Sequence, residues 1–338
     1  QVKRMSAPTA LGVRREGDRL TVSTGRLTVR FEAKQSGFPV HWALTGAGPE
    51  EDLNPGQLMG LELRDGQGRV FDTRHAPESL EVEENGPLRT VIKVTGHHLS
   101  ADGKACFAYR NRFVFYAGSP LMRLYTTWGN DQPDEFATLE QLSLQLQPPS
   151  DYTRWTVGLG EGQVAQGQGP LSLQQWRDHA FTLEPPAVTR PAKQRAPGWL
   201  DVSGEKFGLT TMVRDFWQLY PKGLRLSPAG VVSLDLCPDF PVGTYDHETL
   251  LDDIKLYFYL KNGQYKFRQG MTKQHEVLLC PHAGPYTPAL EQLAQAWQDP
   301  PLALCTPERY CHTQVFGDIL PATTGRWPEY EQICENVY

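Results

Sequence analysis

No apolar run in the 338-residue chain approaches the ~18 residues that a membrane-spanning helix needs. No cluster of lysines and arginines occurs, and the formal net charge is −6, which argues against nucleic acid as the main partner. The chain has no GxSxG, no HExxH, no P-loop and no GxGxxG after a strand, so the common hydrolase, metalloprotease and nucleotide-binding signatures are missing. None of its six cysteines forms a CxxC pair, which removes the usual sign of structural zinc. There is no Asn-x-Ser/Thr sequon. The first residues, QVKRMSAPTALG, hold two cations but no apolar core and no initiator Met, so Gln1 reads as a processed or trimmed end; the expected location is extracellular or the cell surface, and a bacterial export route fits at least as well as a eukaryotic one.

What is present describes a globular chain of two or three domains, 39% hydrophobic and 21% charged. The first two thirds alternate with period two. Leu20, Val22, Leu27, Val29 and Phe31 flank Thr24-Gly25 and predict a hairpin. Phe113 and Phe115 predict one face of a strand, and Leu142, Leu144 and Leu146 another. A further strand is expected from Ile254 to Leu260. Antiparallel runs broken by frequent turns predict a sandwich or barrel rather than a parallel sheet. Cys106, Cys237 and Cys280 fall inside apolar strand patterns and read as buried thiols, whereas Cys305 and Cys311 flank a short loop that a disulfide could bridge.

The pattern changes at Pro285. Thr287 and Pro288 suit a helix start, with Leu290, Leu293, Ala294 and Trp297 on one face. Pro328 opens another helix, whose stripe of Tyr330, Ile333, Cys334 and Val337 is still running at Tyr338. So short a helix needs a partner surface, expected to be a further helical domain or another copy, reached through Tyr330, Ile333 and Val337.

Two segments combine aromatics with charges in a way a sheet alone does not require. Gly208–Gly223 carries Arg214, Asp215, Trp217 and Tyr220; Lys261–Cys280 carries Tyr265, Arg268, Lys273 and His275. Guanidinium groups fork carboxylates and aromatic faces stack on sugar rings, so these residue types suit an anionic, hydroxyl-rich ligand.

Four blocks in order resemble one family. They are GPLRTVIKVTGHHLSADGKACFAYRNRFVFYAGSPLMRLYTTWGND (86–131), VRDFWQLYPKGL (213–224), FRQGMTKQHEVLL (267–279) and FGDILPATTGRWPEYEQ (316–332). Together they resemble the exo-acting rhamnogalacturonan lyases, a family of polysaccharide lyases. The resemblance implies a mainly β chain: an N-terminal RIFT-like β-barrel over 1–85, a central antiparallel β-sandwich over 86–284, and a helical segment over 285–338 that begins an α/α toroid largely absent here.

It also implies β-elimination beside a uronic acid on an acidic polysaccharide. That reaction needs a cation to neutralise the carboxylate, a base to remove the neighbouring proton and an acid for the leaving oxygen. Arg214 is the candidate cation, His275 the base and Tyr220 the proton donor. Trp217, Tyr265, Arg268, Lys273, Arg326 and Trp327 are the candidate substrate-binding residues. No cofactor is expected; the weak exception is calcium at the acidic loop of Asp246, His247, Glu248, Asp252 and Asp253, which lacks EF-hand order. His97 and His98 alternate in direction and make poor joint metal ligands. The alternative reading is a non-catalytic β-rich module, a surface, filament or glycan-binding scaffold.

Overall fold

The computed structural model describes residues 11–45, 57–148, 152–187, 191–246, 260–321 and 325–337, with the Val337 side chain excluded. The expected strand at 254–260 falls almost wholly outside them, as do His247, Glu248, Asp252 and Asp253 of the acidic loop.

The fold is mainly antiparallel β, as the alternating pattern predicts. A four-stranded sheet comes first: β1 (Gly12–Glu16), β2 (Arg19–Ser23), β3 (Leu27–Glu32) and β4 (His41–Leu44). Its hairpin turns where expected. Gly25 sits at φ 86°, and the Thr24 hydroxyl accepts from the Leu27 amide at 2.9 Å while donating to the Ser119 carbonyl at 2.6 Å. A left-handed residue in a tight turn is a position that glycine occupies without strain.

The remaining described strands hydrogen-bond into one closed system. They are β5 (Gln57–Asp65), β6 (Val70–Asp72), β7 (Ser79–Asn85), β8 (Arg89–Leu99), β9 (Ala105–Tyr116), β10 (Met122–Gly129), β11 (Phe136–Gln147), β12 (Arg154–Gly160), β13 (Gln163–Gly167), β14 (Leu171–Arg177) and β15 (Ala180–Glu184). They continue as β16 (Trp199–Ser203), β17 (Phe207–Val213), β18 (Lys222–Leu226), β19 (Val232–Cys237), β20 (Tyr265–Arg268) and β21 (Thr272–Ala283). One layer runs β7-β8-β9-β10-β21-β17-β16-β12-β13. The other runs β6-β5-β11-β19-β18-β14-β15, with β20 also on β11. The turn between β7 and β8 spans residues 86–88.

Aromatic edges join the layers. Phe107 and Trp128 pack on Phe267 at ring separations of 5.8 and 4.9 Å, and Phe31 and Phe38 of the first sheet pack edge-on against Phe113. Such contacts add stabilisation beyond the apolar area they bury. Leu142, Leu144 and Leu146 are fully buried, and Ser143 is buried too, because β11 lies between β5 and β19 in a strand covered on both faces.

Helix α1 (Pro288–Gln298) buries Leu290, Ala294 and Trp297, the last two in a cluster with Trp199, Met212 and Leu278. Its last residue clamps it: the Gln298 amide donates to the Pro197 and Val213 carbonyls at 2.7 and 2.8 Å. Residues through Gln298 make one compact unit and Asp299–Tyr338 a second. The second holds α2 (Pro307–Thr313), capped by the Thr306 side chain, and α3 (Pro328–Val337). On α3, Tyr330 and Ile333 are 68% and 59% exposed, so the stripe expected to seek a partner surface is open. No helix among the described residues is long and apolar enough to cross a membrane.

Candidate functional site

The outer face of the β8-β9-β10-β21 layer is written in rows, because paired residues in adjacent antiparallel strands stand side by side. Lys93, Arg112, Tyr125 and Glu276 form one row. Thr95, Arg110, Thr127 and Gln274 form the next. The third is His97, Ala108, Gly129 and Thr272. Two long polar rows are followed by one whose centre is a methyl group and a hydrogen. The surface therefore sinks at Ala108 and Gly129, forming a depression of about 600 Å³. Gly129 must stay glycine: a Cβ there would stand 2.6 Å from the Thr272 methyl and 2.9 Å from the Met271 carbonyl.

A bulge sets the register of this row. The β8–β9 pairing slips between His97 and His98, and Phe107 takes the left-handed φ of 49°. His98, fully buried, pins the bulge: its Nδ1 lies 2.7 Å from the Phe107 carbonyl and, as the neutral tautomer that fits, donates to it. Burial, which disfavours the charged ring, lowers the His98 pKa to about 4. Bulges re-aim side chains in this way beside functional surfaces.

At one end of the depression His97 lies between two carboxylates. Its Nδ1 is 2.5 Å from Glu78 Oε1 and its Nε2 2.6 Å from Asp131 Oδ2. Partial burial acts to lower its pKa, but the hydrogen bonds to Glu78 and Asp131 outweigh that and leave it raised. Asp131 also accepts from the Ala108 amide at 3.3 Å. Burial acts to raise the Asp131 pKa; the hydrogen bond from His97 turns the balance and it ends lowered. Asn130 fixes the turn that carries Asp131, donating to the Phe267 carbonyl at 3.0 Å and accepting from the Gln132 amide. Arg110 forms part of the opposite wall. Among the described residues no group of His, Cys, Asp and Glu is arranged to hold a metal ion. The arrangement can offer hydrogen bonds to hydroxyls through carboxylates, a hydroxyl and an amide. His97, with both nitrogens engaged by carboxylates, is held in place rather than free to act as a base.

The residues singled out from sequence lie elsewhere. Arg214 binds Glu276 at 2.7 Å and stacks 4.5 Å over the Trp297 ring; Arg123 reaches the other oxygen of Glu276 at 3.3 Å. His275, the neighbour of Glu276, points to the other side of β21. It is 3% exposed, lies parallel to Trp128 at 6.3 Å, and neither ring nitrogen has a hydrogen-bond partner among the described residues. Burial first, then the charges of Lys222 and Lys273, hold its pKa well below the ordinary value. Arg214 and His275 therefore stand on opposite faces of one strand, and the structure does not bring cation and base together.

Tyr265 is a core phenol donating to the Pro238 carbonyl at 2.6 Å. Lys273 is half-buried near the fully buried Lys222, whose ammonium donates to the carbonyls of Leu219, Pro221 and Leu236. Trp217 carries Arg195 at 4.3 Å over its ring, and Tyr220 precedes cis-Pro221. Arg268 is exposed beside Glu135 at 3.6 Å. Arg326 and Trp327 belong to the second unit, where Trp327, Tyr330 and Leu320 line a depression of about 380 Å³. Asp246 accepts from the Asn262 amide at 3.1 Å, the one member of the acidic loop that is described. Cys106, Cys237 and Cys280 are buried thiols, as expected. Cys305 and Cys311 are free, so the disulfide considered for their loop is corrected: the loop is held instead by the Tyr310 hydroxyl accepting from the Cys305 amide at 3.2 Å.

Glu78, Arg110 and Asp131 were not singled out by sequence reading. The available signal was the pair of small residues, Ala108 and Gly129, in strands otherwise lined with large side chains.

The chain shares its fold with a protein of glycosyl hydrolase family 38 from Enterococcus faecalis, at a TM-score of 0.52 and 13% identity, covering 83% of this chain and 32% of that one. The family 36 α-galactosidase AgaB from Geobacillus stearothermophilus matches at a TM-score of 0.48 and 10% identity, covering 81% of this chain and 41% of that one. The galactosidase domain of the α-galactosidase–sucrose kinase AgaSK matches at 0.49 and 10%, covering 81% and 42%. The chain thus spans less than half the length of these structures, and what it shares with the family 38 protein is the fold. By sequence, residues 11–155 match the model described as the PcRGLX-like protein central beta sandwich domain, in agreement with the family that the four blocks resemble. No curated protein matches.

Proposed function

We propose that this chain is the β-sandwich portion of an exo-acting rhamnogalacturonan lyase, a secreted protein that acts on an acidic polysaccharide by β-elimination. The observation that carries this reading is the family match over residues 11–155. The division at 85/86 into a RIFT-like barrel and a sandwich belongs to the same proposal. In this reading the β module contributes sugar contacts, and the complete protein supplies the cation and base in a cleft shared with a further helical domain. The open stripe of Tyr330 and Ile333 suits a contact with such a domain.

The test incubates the chain, and the longer natural protein, with rhamnogalacturonan while following the ultraviolet absorbance of the unsaturated uronate. The expected result is product from the longer protein and glycan binding by this chain. Absence of product from both, across several uronic-acid polymers, would remove the lyase reading. A second reading, a glycan-binding scaffold without catalysis, is favoured by one observation: His275 is inside the core while Arg214 is spent on Glu276. Binding without elimination in the longer protein would select it.

A further inference from the structure

We propose that the depression over Ala108 and Gly129 is a subsite for a neutral, diol-bearing deoxyhexose, and that it rejects the uronate of the same polymer. The inference rests on the rhamnogalacturonan reading above, and asks which of that polymer's two sugars the site takes.

Three features of the depression argue for the neutral sugar. Its rim is rich in acceptors. Asp131 and Glu78 stand on either side of His97, and each carboxylate keeps lone pairs beyond those His97 uses. A vicinal diol can donate two hydrogen bonds to one such carboxylate, and bonds to charged acceptors are the stronger kind. Gln269 lines the same depression and adds a neutral partner, and Thr127, whose hydroxyl donates to Gln274 at 3.0 Å, can still accept.

The floor is apolar and shallow. The Ala108 methyl, the bare Gly129 and the Thr272 methyl lie in one row, and the exposed lining is more apolar than polar. A deoxyhexose carries a methyl group where a hexuronate carries a carboxylate. Burying that methyl on this floor is favourable, whereas a carboxylate placed there would lose its water without gaining a partner.

The charge balance points the same way. The two carboxylates are offset by Arg110 and by His97, but His97 is already held by both. A uronate approaching the floor would meet two like charges, with only Arg110 at the opposite wall. Like-charge contact of this kind is how sites reject a close relative of their ligand.

The experiment uses the chain as it exists, labelled for amide-resolved NMR, with methyl rhamnoside and methyl galacturonide as probes. The rhamnoside is expected to move the amides of Ala108, Gly129, Asp131 and Gly270, and the galacturonide to leave them in place. Ala108→Leu fills the floor from a half-exposed position, and Asp131→Asn removes a charge at constant size. Each is expected to weaken the rhamnoside response about tenfold or more. Thermal unfolding of both variants reports whether they are folded, and Thr127→Val, which keeps shape and loses one hydroxyl, is expected to weaken binding less.

Equal or stronger response to the galacturonide at the same amides overturns the selectivity. No response to either sugar overturns the site. Binding of the polymer that moves other amides in that same preparation would leave the rhamnogalacturonan reading standing while sinking this one.

Discussion

His97 and His98 are adjacent in sequence and opposite in behaviour. His97, on the outer face, is clasped by Glu78 and Asp131 and its pKa is raised. His98, on the inner face, donates to the Phe107 carbonyl and its pKa is lowered to about 4. The wider faces repeat the contrast. The outer surface satisfies its charges in pairs such as Arg112–Glu83 and Arg214–Glu276. The inner surface holds Asn111, Thr126 and His275 in one register row, all buried, with side-chain polar atoms that have no partner among the described residues. Burial without a partner drives a group to its neutral form, while a carboxylate neighbour drives it to the charged one. One strand thickness is enough to reverse the sign.

The contrast can be broken most severely at His98. His98→Ala should leave a cavity and strand the Phe107 carbonyl, costing about 2–4 kcal/mol in chemical denaturation. A loss below about 1 kcal/mol would mean that the bulge does not depend on this ring.

The next effect is a pH dependence. His98 is lowered from 6.5 to about 4, so the unfolded chain binds the extra proton in that interval. Stability is therefore full above 6.5 and declines as pH falls towards 4, by about 3 kcal/mol from this residue. His275, lowered by burial, acts in the same direction. Denaturant midpoints measured across the acid range should fall, and His98→Gln should flatten the slope; an unchanged slope would contradict the burial argument.

Arg214→Ala tests the outer face. It removes a partly buried ion pair and the stacking over Trp297, but Glu276 keeps Arg123. The expected cost is about 1–2 kcal/mol by thermal unfolding, with sugar binding at the Ala108 floor unchanged.

The smallest effect belongs to Glu78→Gln. Glu78 is more than half exposed, so stability should change by well under about 1 kcal/mol. The readout is instead the His97 titration by NMR, which should move down towards the ordinary histidine value. For a raised histidine the stabilising contribution is complete below its unfolded pKa and fades as pH rises through the folded one. The variant should therefore lose whatever it loses on the acid side of that titration.

Much of the scaffold was legible in the residues. The Thr24-Gly25 hairpin, the Phe113–Phe115 strand face and the α1 stripe all follow from local periodicity, which needs only neighbouring residues. The site was not legible in the same way. Arg214 and His275 belong to two segments whose residues suggest strands, yet period two across the β17–β21 pairing sends them to opposite faces. Asp131, Glu78 and His97 come from three separate places along the chain, and nothing local announces that they meet.

The order of amino acids alone determined that this protein is built of antiparallel strands, that its core is aromatic and aliphatic, and that residues 11–155 match the PcRGLX-like central β-sandwich model. Which polar side chains share a surface was decided only by register and by the Phe107 bulge. A single slipped residue exchanges the two faces of a strand, and that slip is set by long-range pairing and by a buried histidine rather than by any local preference.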